Sequence, residues 1–306
     1  MGPLVGHVAS GFAFLAIGLW HLFNNIKLFC LNPNTFASSI WFPTSKLRHL
    51  ELYIIILVSA VGVIGVELFN ISTERDQLFD SNDGTILPDL LHDVEHSFIA
   101  MSFLAYAVFA LLIDRARSRA EGLTVLAYAA AFAQELFIFH FHSSDHMGIE
   151  GQYHLIFQLI IFISLLTTLM GIALPKSFLV SFVRSSSIAF QGVWLIVMGF
   201  MLYSPSLIPK DCLLHVNEIH TTVKCSTVEA LDKAKSLANI EFNWLFVLTT
   251  TFTITLYLIL ERVYGGNTKY TSLDTINQQD DEEQQHIIKS SRYPSFVQMH
   301  KLVGHV

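Results

Sequence analysis

The chain has 306 residues, of which 52% are hydrophobic and only 14% charged, with a mean hydropathy of +0.50. A charged fraction so far below the roughly 25% of soluble domains excludes an ordinary water-soluble globule. The net charge of −7, without a basic cluster interleaved with aromatics, gives no footing for nucleic acid as a partner, and three cysteines are too few for a disulfide scaffold.

Apolar runs of about 20 residues recur along the chain, each long enough to cross a hydrocarbon core of about 30 Å as a helix. They lack the alternation of barrel strands. Spans are expected near residues 4–26, 50–69, 95–113, 122–142, 153–173, 187–203 and 242–263, the sixth being the shortest. The expected fold class is all-α: a polytopic membrane protein whose seven-helix transmembrane bundle fills residues 1–265. Residues 266–306, with QQDDEEQQ and few apolar side chains, read as a disordered acidic tail. The first run has no basic segment before it and no small-residue cleavage pattern after it, so it reads as a retained helix rather than a signal peptide. The start MGPLVG lacks the Ser or Thr of a myristoylation motif.

Basic residues in the connections set the orientation. Lys27, Lys46 and Arg48 lie in the first connection, Arg115, Arg117 and Arg119 in the third, and Lys176 and Arg184 in the fifth. With the bases from Arg262 onward, they put most of the Lys and Arg on one side. The N-terminus is therefore expected outside or luminal, and the tail cytosolic, in an endomembrane or the plasma membrane. The sequon Asn70-Ile71-Ser72 falls on the outer side. So do Cys212 and Cys225, where pairing or two free thiols are both open. The outer connection after the second span carries Glu74, Asp76, Asp80, Asp83, Asp89 and Asp93 against Arg75, and reads as a solvated acidic loop.

Threading the chain gathers ionisable residues in the outer half: His7, Glu67, His92, Glu95, His96, Glu135, His140, His142, His154 and Glu241. Such groups are costly in lipid and usually act there. His92 and His96 share a helix face, as do His154 and Gln158, and Glu135 shares one with His142, while His140 points elsewhere. The primary candidates for a metal site are His96, Glu135, His142 and His154, with His92, His140 and Glu95 as a second tier. Zinc is the metal that a three-His or His–carboxylate set fits best, with nearby acids orienting the imidazoles. For His140, His146, His215 and His220 an interfacial anchor is the favoured reading. For His96, His142 and His154 anchoring and ligation are both open. Glu135 lies about two turns inside its span and needs a partner or a proton. At the cytosolic end, His21 and Asn25 are four apart, and helix packing is favoured over catalysis for them. Trp41 and Trp194 read as packing or interface residues.

The segments GFAFLAIGLWHLFNN, LLHDVEHSFIAMSF and QELFIFHFHSSDHMGIEGQYHLIFQ resemble the transmembrane protein 45 family, also known as domain of unknown function 716 and, in plants, as viral-response proteins. The resemblance covers about residues 1–265. It implies a multi-span endomembrane or plasma-membrane protein with links to stress or defence, no settled activity, and no assigned role for any matching residue.

Two functions from different classes remain in view. One is a zinc-binding membrane protein whose metal-bound water hydrolyses a lipid-like substrate. The other is non-enzymatic: an adaptor engaging a protein partner through its tail, or a minor solute or proton carrier dependent on Glu135. Membrane lipid is a partner in either case. The chain shows no nucleophilic triad, P-loop or dinucleotide fingerprint.

Overall fold

A computed structural model describes residues 3–72, 88–118, 120–143, 148–216 and 221–265, with side chains described for all of these except residues 3, 65–72, 88–93, 142–143, 216 and 221. The acidic loop at 73–87, Asp145, His146, His220 and the tail lie outside the described residues. The helices are α1 (Pro3–Leu31), α2 (Leu50–Ser72), α3 (Pro88–Arg115), α4 (Glu121–Ser143), α5 (Ile149–Ala173), α6 (Phe178–Tyr203) and α7 (Val228–Tyr264). Between α6 and α7 stands an antiparallel hairpin, β1 (Cys212–Val216) and β2 (Thr221–Cys225). Among the described residues, six of the helices are long and apolar enough to cross a membrane, and Leu50–Ile64 of α2 is a shorter apolar stretch. The chain is an all-α polytopic membrane protein.

Several helices extend beyond the spans that hydropathy indicated, α6 and α7 at their starts. α6 begins at Phe178, not near residue 187, because Ser177 accepts a bond from the Val180 amide and caps the helix. The polar run that follows it then turns inward, and Ser181, Arg184 and Ser185 are buried. Arg184, counted above as a connection base, is fully enclosed in the bundle. α7 begins at Val228, well before residue 242. Its first turns are amphipathic, with Ala230, Ala234 and Ala238 buried at a spacing of four and Glu229, Asp232 and Lys233 exposed.

The most extensive helix pair is α1 with α6, which run antiparallel. Glycines let their backbones touch: a Cβ on Gly18 would sit 2.2 Å from the Ala189 nitrogen, and one on Gly192 2.3 Å from the Leu15 nitrogen. Such close approach is the packing device available to helices in lipid, where burial of apolar surface drives little association. One core cluster joins α4, α5, α6, α7 and the hairpin around Phe157, Trp194 and Met198. A second joins α2, α3 and α4 around Tyr106, Phe132 and Leu52. Large apolar side chains such as Leu57, Phe109, Trp244, Val247 and Ile259 face outward, as a lipid-facing surface requires.

Cys212 and Cys225 are directly opposite each other and form a disulfide that closes the hairpin. The hairpin marks one end of the bundle. The connection from α1 to α2 marks the other.

Candidate functional site

At the end away from the hairpin, the α1–α2 connection folds back into the bundle. Phe36, Ile40 and Phe42 are buried, so its apolar side chains plug the helices rather than face water. Four sets of bonds hold it. Ser38 N–H donates to the Pro175 carbonyl at 2.7 Å, and Tyr106 Oη donates to the Ile40 carbonyl at 3.2 Å. Glu51, in the first turn of α2, accepts at Oε2 from Phe42 N–H (2.8 Å) and Trp20 Nε1 (2.9 Å), while Oε1 lies 2.6 Å from His21 Nε2. A carboxylate at a helix N-terminus is favoured by the backbone dipole, and here it also finds three hydrogen-bonding groups. At the rim, Asp114 receives Arg48 at 2.9 and 3.2 Å and lies 2.7 Å from His49.

The fourth set comes from Arg184. Its Nη2 donates to Ser38 Oγ at 2.9 Å and to the Ser39 carbonyl at 2.8 Å. Its Nε and Nη1 meet no hydrogen-bond acceptor, and no carboxylate pairs with it among the described residues. Gly171 of α5 lies against Nη1, where a Cβ would approach to 3.1 Å. Tyr106 and Tyr128, stacked at 4.5 Å, lie within the field of the guanidinium.

Polar groups continue from there toward the hairpin end. Asn25 donates to Ser185 Oγ at 3.0 Å, and its Oδ1 has no partner. One turn on, Ser164 Oγ bridges Ser187 Oγ and Gln191 Nε2, each at 2.8 Å, leaving Gln191 Oε1 unpartnered. Because α4 and α6 run in the same direction, Glu135 stands above Tyr128 as Gln191 stands above Arg184, about 10 Å along the bundle by the rise of seven helical residues. Glu135 is 1% exposed and its Oε2 has no partner.

Higher still are the histidines. His154 is buried beside the ring of Phe139, His96 meets the same ring edge-on, and His140 Nδ1 lies 3.1 Å from Gln158 Oε1. At the hairpin end, Tyr153 Oη donates to Glu241 at 2.6 Å and Tyr203 Oη to Glu150 at 3.1 Å.

Phe139 thus packs against both His96 and His154, and no three His, Cys, Asp or Glu side chains gather as a metal would require among the described residues. The side chains of His92 and His142 lie outside them, and Glu95 is half-buried in α3. The sequence reading singled out Glu135 for its depth, whereas it took Arg184 for a connection base and so did not anticipate its burial. A signal was present: Tyr128 to Glu135 and Arg184 to Gln191 are both two-turn spacings, which align polar side chains on one face.

A bundle of long apolar helices around a polar interior defines a multi-pass membrane protein. Residues 121–258, which contain α4 to α6 and most of α7, match a family of unknown function (DUF716). That family is of the transmembrane protein 45 type, which fits the resemblance carried by the sequence motifs. Glu135, Arg184 and Gln191 all fall inside the matched residues.

Proposed function

We propose that this protein is a carrier for a small polar solute, with the row from Arg184 through Gln191 and Glu135 to His154 as its path. The observation behind this is Glu135, a carboxyl buried in mid-bundle with an unpartnered oxygen and with further unpartnered polar atoms below it. Burying polar groups without partners costs about 1–3 kcal/mol each, so a purely structural bundle is better served by apolar side chains. A solute that arrives with its own donors and acceptors offsets that cost. The proposed orientation places the hairpin outside or in the lumen, supported by the distribution of bases and by a disulfide, which persists in oxidising compartments.

The test is uptake into proteoliposomes containing the full chain, with labelled carboxylates, amino acids and sugars as the panel. Uptake above empty vesicles for at least one class is expected, reduced by Glu135→Gln and retained when residues after Gly265 are removed. Uptake equal to that of empty vesicles for the whole panel overturns the reading. So does uptake indifferent to Glu135→Gln. Loss on tail deletion alone supports an adaptor instead.

A further inference from the structure

We propose that Arg184 is the binding site for a small monovalent anion, which takes the guanidinium edges that the α1–α2 connection leaves open. The inference rests on the carrier reading, since the anion is its cargo. Three features carry it. First, Arg184 is fully buried in a membrane bundle with no carboxylate paired to it among the described residues, although an uncompensated buried charge is strongly unfavourable. Second, Nη2 is satisfied by the neutral acceptors Ser38 Oγ and the Ser39 carbonyl, while Nε and Nη1 meet none, so bracing the connection uses one nitrogen of three. Third, the neighbour of Nη1 is a glycine: any side chain on residue 171 would crowd it.

The charge of the ligand follows from the charge of the site. A monoanion brings one guanidinium to neutrality. A dianion would carry an uncompensated negative charge into an interior that already holds Glu51 and Glu135, both within the field of Tyr128 beside Arg184. Hydrogen bonds from a guanidinium to an anion are about twice as strong as those to neutral oxygens, so an anion also competes for the nitrogen now held by Ser38 and Ser39. Occupancy then loosens the plug at the mouth it has entered. Carboxylates and halides share the required chemistry, and the experiment separates them.

Equilibrium dialysis of the full chain in detergent, with labelled acetate and labelled chloride in separate arms and labelled sulfate as the dianion, measures binding apart from transport. Saturable binding of acetate or chloride at one site per chain is expected, with sulfate weaker. Arg184→Gln should weaken it roughly tenfold or more, the scale of one lost charge-assisted hydrogen bond. Gly171→Ala, which crowds Nη1 without changing charge, should also weaken it, and Ser38→Ala, which removes a competing acceptor, should tighten it. These two variants decide the matter if Arg184→Gln fails to fold. Absence of saturable acetate and chloride binding overturns the proposal, as does tighter binding of sulfate, or affinity unmoved by all the variants. Binding without uptake into vesicles would leave the anion site standing and remove the carrier. Uptake of a neutral solute without anion binding would do the reverse.

Discussion

Glu51 shows how much a single buried side chain can hold. Its two oxygens serve Trp20, Phe42 and His21, so they join α1, the plug and α2 at one point. Glu51→Ala leaves an indole N–H, an amide N–H and an imidazole without their acceptor. Breaking a buried pair in this way costs about 3–5 kcal/mol. A marked fall in the melting temperature in detergent is expected, with Glu51→Gln intermediate because its amide oxygen still accepts. In the double variant His21→Ala/Glu51→Ala the losses should be less than additive, since the two groups share one interaction. The sequence shows His21 and Glu51 near the same end of the bundle but not their contact. Arg184 was less legible still. A base near the end of a span is ordinarily read as a topology signal, and its acceptors, Ser38 and Ser39, are brought to it from far away in the chain by the fold.

Glycine placement decides the pairing of α1 with α6. Gly11 and Gly18 recur on one face of α1, Gly192 and Gly199 on one face of α6, and each helix meets the other's backbone there. Gly192→Ala sets a Cβ within 2.3 Å of the Leu15 nitrogen, where only a backbone shift can make room. Overpacking of this kind costs about 1–3 kcal/mol. Gly6→Ala is the control, since a Cβ there meets nothing within 4 Å and alanine is the better helix former. A lowered unfolding temperature for Gly192→Ala and an unchanged or raised one for Gly6→Ala are expected. Equal effects would show that helix propensity, not contact, sets the outcome. The same elements explain where hydropathy succeeds and fails. The helices α2, α4 and α5 lie within four residues of their expected spans. α6 was read short because a hydropathy average cannot distinguish a polar side chain facing water from one facing inward, as Arg184, Ser181 and Ser185 do, and α7 because the exposed polar face of its first turns lowers the average.

For the whole molecule, the arrangement of its polar groups bears on metal content and on orientation. With Phe139 against both His96 and His154, and no group of three potential ligands among the described residues, purified protein should contain zinc well below one atom per chain by elemental analysis. Stoichiometric zinc lost on His142→Ala would restore the metal site that the histidine spacing suggested. Orientation is tested by the hairpin. In a Cys30→Ser variant the only remaining cysteines are Cys212 and Cys225, joined as a disulfide. If the hairpin faces the lumen, an impermeant maleimide should label sealed microsomes only after both detergent and reductant. An epitope added after Val306 should be removed by external protease without detergent. Labelling of sealed vesicles by an impermeant reductant and maleimide would reverse the topology. It would place the plug and Arg184 at the luminal or outer mouth, so the anion would enter from that side. The two proposals thus share a direction: with the hairpin in the lumen, the buried guanidinium lies behind the mouth that an anion arriving from the cytosol enters, past the Arg48–Asp114 pair at its rim.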